Sequence, residues 1–268
     1  MGTLGATLGV YSVLVNKIAV ATLVRGGRSL KDFTWLIERT RAIKATTGAH
    51  LLDNVDMLVF YERGSIPERL QKEISQECDV QLEFVDIYTF TPKSGITPSK
   101  VGWMGWGYAH MCQFWFCTFW HYVEKYDVLL RVDEDCLTYS DIVSPLLRPL
   151  LERSAAVTYP YWQGDIPDVT VGLTDFASEV LGDNILTLEQ RPGGPYSNVL
   201  GLNLAELRKC ETTQRLARKV LASGKCLERR WGDLPLWGEV LVRTGRGQVA
   251  RGLSYDHRSW VGHPRVET

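Results

Sequence analysis

Three consecutive acidic residues, Asp133, Glu134 and Asp135, follow directly on the apolar run Asp127–Val132. The run is short and rich in Val and Leu, which predicts a buried β-strand. Carboxylates this close together repel one another, and burying them costs free energy unless a cation or hydrogen-bond donors compensate. Divalent metal ions prefer oxygen ligands, and open α/β sheets bind ligands at the carboxyl ends of their strands. The triplet therefore predicts a metal site, with a solvated acidic turn as the alternative.

The elements that must position the triplet alternate between strands and helices. Apolar, β-branched runs at Lys17–Val24, Asp56–Tyr61 and Val80–Asp86 predict buried strands. Between them lie two predicted helices, one after an N-cap at Ser29 and one over Ile66–Glu77. This β-α-β-α-β order is typical of a doubly wound α/β fold, so we predict a Rossmann-like, mostly parallel mixed sheet flanked by helices.

The chain beyond the triplet continues the same fold. It is predicted to form helices at Asp141–Arg153, Leu204–Ser223 and Asp233–Thr244 and strands at Ala155–Tyr159 and Ser197–Asn203. There is no internal repeat and no low-complexity segment. We therefore expect a glycine-rich lead-in over residues 1–16 and one domain over residues 17–268.

Composition restricts the function classes. The chain has 268 residues, 45% of them hydrophobic and 23% charged, with a net charge of -1. Without a basic block, nucleic-acid binding has no support. Asn16 and Lys17 interrupt the most apolar stretch, so we predict no membrane span and no signal peptide. We expect a soluble protein, cytoplasmic or, if an anchor has been removed, in the Golgi lumen.

The six cysteines have no zinc-type spacing. Without a secretory signal, reduced thiols are the default expectation. Cys210 and Cys226 are the first pair to examine for a disulfide.

Several motifs around the triplet together resemble glycosyltransferase family 15, the fungal α-1,2-mannosyltransferases. Gly107–Phe114 (GYAHMCQF) and Arg131–Asp135 (RVDED) are similar to that family's GYRHMCRFF and WRVEPD. Tyr196–Asn198 resembles its WSNFE, and Arg230–Pro235 resembles its RWGDAP. Tyr255–His257, with His263 and Pro264 further on, resembles its YHH…HCP. Matches in one order over residues 17–264 are far more specific than any single motif.

The resemblance implies a GT-A fold and a metal-dependent transfer of sugar from a nucleoside diphosphate sugar to a glycan or glycoprotein. The donor would be GDP-mannose as in the family, with a UDP-sugar as the other candidate. By position, Asp133, Asp135 and His257 would hold Mn²⁺ (or Mg²⁺), a ligand set that suits Mn²⁺. A surface histidine is the alternative interpretation of His257 alone.

The resemblance also implies which residues bind the donor. These are Arg25, Tyr108, Asp133, Ser197 and Asn198. His110, on the same predicted helix as Tyr108, is more simply explained as a core residue.

Asp233 is the candidate catalytic residue. It begins a predicted helix, where the dipole and free N–H groups stabilise its charge. In GT-A enzymes an acid at this place faces the acceptor hydroxyl, as the base of an inverting reaction or as an orienting group in a retaining one. An ordinary N-cap is the alternative. Glu239, further along the helix, is a weaker candidate.

Three positions depart from the family pattern. Leu200 stands where the family has the glutamate proposed to act in retention, and Ala109 and Gln113 stand where it has arginines. The anomeric outcome and the sugar therefore stay open. A non-catalytic nucleotide-sugar or glycan-binding module with the same fold is the main alternative, and a metal-dependent phosphoesterase is a weaker one.

Overall fold

The computed structural model describes residues 16–48, 53–90, 105–183, 192–258 and 266–268. Its strands are β1 (Ile18–Val24), β2 (Val55–Glu62), β3 (Leu82–Ile87), β4 (Val128–Val132), β5 (Cys136–Thr138), β6 (Val157–Tyr159), β7 (Trp162–Gly164), β8 (Gly193–Pro195), β9 (Val199–Asn203), β10 (Gly247–Val249), β11 (Ser254–His257) and β12 (Val266–Glu267). Its helices are α1 (Thr34–Thr46), α2 (Glu68–Cys78), α3 (Gly105–Gln113), α4 (Val143–Leu151), α5 (Leu173–Leu181), α6 (Leu204–Leu207), α7 (Glu211–Ser223), α8 (Lys225–Arg229) and α9 (Asp233–Thr244).

A seven-stranded sheet in the order β10-β6-β9-β4-β1-β2-β3 positions the site. β3, β2, β1 and β4 are parallel neighbours, whereas β9 runs antiparallel to both β4 and β6. The predicted α/β fold with a mostly parallel, mixed sheet is confirmed. Because β1 and β4 are parallel, their carboxyl ends at Val24 and Val132 lie at one edge of the sheet. The acidic triplet follows at that edge.

Each face of the sheet packs against its own apolar cluster. On β4, Val128, Leu130 and Val132 point to the side covered by α1, α2 and α4. Leu129 points to the other side, where the aromatic segment after α3, together with α7 and α9, covers the sheet. Burial on both faces explains why the β4 sequence is a continuous apolar run rather than an alternating one.

The predicted helix that carries Tyr108 and His110 changes its pitch in the structure. α3 ends at Gln113 and continues as a π-helical turn, Phe114–Thr118, and then a 3-10 turn, Phe119–Tyr122. The rings pack edge to face, and Phe60 of β2 lies 5.2 Å from the Phe114 ring centre. π-helical turns often occur at functional sites.

A smaller antiparallel sheet, β12-β11-β5, extends the end of β4. β5 begins directly after the triplet and pairs with β11 so that Cys136 lies opposite His257. This pairing brings the C-terminal part of the chain back to the acids. The predicted lead-in, apart from Asn16, lies outside the described residues, and all six cysteines are free thiols.

The close approach of β8 to α9 depends on two glycines. A methyl group at Gly238 would lie 1.7 Å from the carbonyl oxygen of Gly193, and one at Gly194 would lie 1.9 Å from that of Leu234.

We expect Gly238→Ala to lower the free energy of unfolding by about 3 kcal/mol, because the backbone of β8 has to move away from the new methyl group. Gly107→Ala is the control, since a methyl there meets nothing within 4 Å. Equal denaturation midpoints for the two variants would contradict this packing.

Candidate active site

The acids lie in a tight turn at the carboxyl end of β4. The N–H of Asp133 donates to the carbonyl oxygen of Asn198 at 2.9 Å, and the N–H of Cys136 donates to the carbonyl oxygen of Asp133 at 3.1 Å. The first hydrogen bond joins the turn to the residue that precedes β9, and the second closes the turn itself. The triplet is therefore fixed both within its own turn and against the start of β9.

Arg131, in the otherwise apolar β4, organises the centre of the site. Its side chain is buried, and it binds both oxygens of Asp133, with Nε to Oδ1 at 2.7 Å and Nη2 to Oδ2 at 2.8 Å. Its third nitrogen, Nη1, donates to Oδ2 of Asp233 at 2.5 Å. The guanidinium also lies 4.7 Å from the ring centre of Trp115. Arg131 thus joins the end of β4 to the start of α9.

Burial and ion pairing oppose each other in this group, since burial raises the pKa of Asp133 while the charge of Arg131 lowers it. Burial by itself would lower the pKa of Arg131, but the carboxylates of Asp133 and Asp233 raise it above its ordinary value. Arg131 is therefore a permanent cation in the site. Burial, followed by the charges of Asp135 and Asp133, raises the pKa of Glu134 to about 8, while Arg25 opposes this shift. Arg25 is exposed beyond the end of β1, on the same edge as the triplet.

Asp135 and His257 form a second group on the outer side of the turn. Nε2 of His257 lies 3.1 Å from Oδ2 of Asp135, and Nδ1 lies 2.6 Å from the hydroxyl of Tyr196. Two adjacent ligands of an octahedral ion are separated by about 3 Å when each metal bond is about 2.1 Å. The spacing of the Asp135–His257 pair therefore fits a shared divalent cation.

The structure separates Asp133 from this pair. Both oxygens of Asp133 are bound by Arg131, whereas Asp135 and His257 face each other. No cluster of three or more His, Cys, Asp or Glu ligands is found in the described part of the chain. Among the described residues, Asp135 and His257 are thus the predicted ligands that face each other, whereas Asp133 is bound by Arg131 and its role as a ligand stays a prediction.

Ser197 and Asn198 lie beside the triplet, immediately before β9. Both are buried, and the amide oxygen of Asn198 accepts from the Tyr255 hydroxyl at 3.4 Å. Its amide nitrogen is buried with no partner among the described residues. An unsatisfied buried donor costs free energy, and a bound ligand can satisfy it. Asn198 is therefore suited to donate to a ligand.

Asp233 is the first residue of α9, as predicted, and it is buried. Tyr108 reaches the same region from α3, where Cys112, burial, Asp233 and Asp165, in that order, raise its pKa. Glu239 is different, because Thr174 donates to it at 2.7 Å and Arg243 pairs with it. Its contacts join α9 to α5 and give it a structural role.

His110 belongs to an aromatic group rather than to the acidic edge. Its ring stacks on Phe90 at 5.0 Å with an interplanar angle of 6°. His263 and Pro264 of the last motif lie outside the described residues. Leu200 is buried in β9 directly opposite Arg131, so the side chain beside the guanidinium is apolar.

Two functional candidates escaped prediction from the sequence. Arg131 was visible as a charge inside an apolar strand, which is a signal for a buried ion pair. Tyr196 belongs to the family-like motif Tyr196–Asn198, but its contact with His257 was not predicted, because it spans 61 residues and depends on the β5–β11 pairing.

Solved structures of sugar transferases share this fold. The structural match to core-mannan synthase A (CmsA/Ktr4) from Aspergillus fumigatus, in its Mn/GDP form, covers 90% of this chain and 74% of the synthase chain. Its TM-score is 0.70 and the sequence identity is 15%. The mannosyltransferase Ktr4p from S. cerevisiae matches 90% and 70%, with a TM-score of 0.68 and 16% identity. The galactosyltransferase LgtC, in complex with donor and acceptor sugar analogs, matches 87% and 73%, with a TM-score of 0.51 and 13% identity.

No protein-family model and no curated protein matches the sequence. The fold implied by the resemblance to glycosyltransferase family 15 is nevertheless confirmed by the solved structures. The chain has the GT-A fold.

The Arg131 ion pairs generate a stability prediction. We expect Arg131→Met to lower the free energy of unfolding by about 3–5 kcal/mol, because it leaves two buried carboxylates without their cation. Arg63→Met is the matched control, since the Arg63–Asp86 pair is exposed and is worth at most about 1 kcal/mol. Urea denaturation measures the free energy of unfolding of both variants. A loss for Arg131→Met no larger than that for Arg63→Met would show that the ion pairs of Arg131 do not stabilise the fold.

Proposed function

We propose that the chain is a metal-dependent glycosyltransferase that moves a sugar from a nucleoside diphosphate sugar to a hydroxyl group of a glycan or glycoprotein. The observation that carries this proposal is the Asp135–His257 pair, 3.1 Å apart at the carboxyl end of β4 in a GT-A fold. Ligands bind at this edge of open α/β sheets. The solved mannosyltransferases with the same fold include an Mn/GDP form and a GDP complex, which supports the donor class.

Asp135 and His257 would hold Mn²⁺ (or Mg²⁺), with donor oxygens and water as the other ligands. Carboxylate and imidazole together suit Mn²⁺. When bound, the cation would neutralise charge on the leaving diphosphate. Tyr196 has a supporting role, because a proton on Nδ1 of His257 donated to its hydroxyl leaves the Nε2 lone pair free for the cation.

The donor would lie over the edge between β1 and β4. Arg25 supplies a positive charge beyond β1, and Tyr108 supplies an aromatic ring next to Asp233. Ser197 and Asn198 lie beside the triplet, and the amide nitrogen of Asn198, which has no partner among the described residues, can donate to an oxygen of the nucleotide sugar. The resemblance to family 15 favours GDP-mannose, and a UDP-sugar is the other candidate.

Asp233 would receive the acceptor hydroxyl. Arg131 binds its Oδ2, so the other carboxylate oxygen, Oδ1, can accept a hydrogen bond from the acceptor. Taking up a proton here would weaken a buried ion pair with Arg131. This favours Asp233 as the group that orients the acceptor rather than as the general base.

Metal removal tests the proposal directly. We expect sugar release or transfer from GDP-mannose or a UDP-sugar to stop in EDTA and to return with Mn²⁺. Asp135→Asn should lower kcat/KM by about 100-fold or more, because a ligand of the cation is lost. Asp256→Asn is the control, since Asp256 bonds to Tyr139 on the other side of β11 from the pair. Full turnover in chelator or in Asp135→Asn would refute the proposal.

The contact between Tyr196 and His257 predicts a smaller and separable effect. Tyr196→Phe should weaken Mn²⁺ binding by about 10-fold or more, because the imidazole loses the hydrogen bond that orients it. Titration calorimetry with Mn²⁺ in the presence of GDP measures the affinity. Tyr139→Phe serves as the control on an exposed ring, and equal affinities in the two variants would count against the orienting role.

Leu200 favours a second candidate, a non-catalytic nucleotide-sugar or glycan-binding module. It places a buried apolar side chain opposite Arg131, where family 15 has a carboxylate. Such a module would bind GDP or UDP with Mn²⁺ by calorimetry yet release no sugar to water or to any glycan offered. Turnover that depends on Asp135 would exclude this candidate.

A further inference from the structure

Three polar residues lie beside Asp233 and do not belong to the Asp135–His257 pair. They are Asp165, Arg230 and Tyr108. Asp165 follows β7, and a methyl group built at Gly232 would lie 3.0 Å from its Oδ2. The guanidinium carbon of Arg230 lies 4.8 Å from the ring centre of Tyr108. Three separate elements thus bring polar side chains to the start of α9.

Arg230 is buried and has an Nε that is unpartnered in the described part of the chain, which are features of a ligand-binding residue. It is only 8% exposed, and its Nε is buried with no hydrogen-bond partner among the described residues. None of its nitrogens lies within 4.0 Å of a carboxylate oxygen in the part of the chain that the structure describes. Its φ of 61° is left-handed, a conformation that costs a non-glycine residue roughly 1–2 kcal/mol. A buried N–H group without a hydrogen-bond partner costs free energy, and a ligand can satisfy it.

Asp165 supplies the complementary charge. Its Oδ1 accepts from the N–H of Ile166 at 2.7 Å, and its Oδ2 has no hydrogen bond among the described residues. Burial raises the pKa of Asp165, Arg230 opposes this shift, and Asp233 adds to it. The Asp165 and Arg230 charges therefore act on each other across a gap rather than in contact.

We propose that Asp165 and Arg230 form a subsite for hydroxyl groups of a neutral sugar, which would be the acceptor. A sugar hydroxyl can donate to the carboxylate, while its neighbour accepts from the guanidinium, so a pair of adjacent hydroxyls bridges the two charges. An anionic group fits less well, since the carboxylates of Asp165 and Asp233 would repel it. This inference rests on the proposed function, because Asp233 is the group assigned to the acceptor.

The test compares acceptor affinity with nucleotide affinity. Methyl α-glycosides of mannose, glucose and galactose are titrated, by saturation-transfer NMR, into the chain with Mn²⁺ and GDP. We expect Asp165→Asn and Arg230→Lys to weaken binding of the preferred glycoside about 10-fold or more, since each loses a charged hydrogen-bond partner. The affinity for GDP should change less than about twofold. Asp168→Asn and Arg229→Lys, on exposed neighbours, are the matched controls.

Each outcome decides between the subsite and the proposed function. If the wild-type chain turns over a donor but binds none of the glycosides, the subsite is wrong and the proposed function stands. If it binds a glycoside in an Asp165-dependent way but turns over no donor, the subsite stands and the transferase does not. Weaker binding of GDP in the Asp165 and Arg230 variants would place these residues at the donor and overturn the inference. Asp165→Asn keeps the test valid if Arg230→Lys fails to fold, because Asp165 is only partly buried.

Discussion

The arrangement of this site depends on one buried cation. Arg131 binds Asp133 with two nitrogens and Asp233 with the third, and so it fixes the end of β4 relative to the start of α9. Buried ions are stable only when their partners are in place, and losing one partner leaves an uncompensated charge. The ring of Trp115, placed by the π-helical turn, lies against the same guanidinium. The sheet, the aromatic segment and α9 therefore meet at a single residue.

This interaction also divides the acids by role. Asp133 and Asp233 are held by Arg131, whereas Asp135 faces His257 in the pair proposed to bind a cation. The β5–β11 pairing, which brings His257 back to the triplet, is thus as necessary to the proposed metal site as the triplet itself. In the proposed arrangement the cation and diphosphate would lie at the Asp135–His257 pair, and the acceptor would lie at Asp233 with Asp165 and Arg230. None of the described helices is long and apolar enough to cross a membrane.

The sequence predicted the elements better than the contacts. Burial on both faces makes β1, β2 and β4 nearly continuous apolar runs, and α9 begins at Asp233 as predicted. α2 begins one residue after Pro67 rather than before it, since Pro67 adopts an extended ψ of 144°. The predicted metal ligands Asp133, Asp135 and His257 stay a prediction. The sequence did not show that Arg131 binds Asp133, because that contact is set by side-chain direction. Long-range partners such as Tyr196 and Asp165 are fixed by tertiary packing, which local sequence does not encode.

The most direct measurement is a crystal structure of the chain with Mn²⁺ and GDP, with diffraction recorded at the manganese absorption edge. The expected result is an anomalous peak in contact with Asp135 and Nε2 of His257, while Arg131 still binds both Asp133 and Asp233. A peak away from the Asp135–His257 pair, or one that draws Asp133 away from Arg131 as a ligand, would contradict this division of the acids.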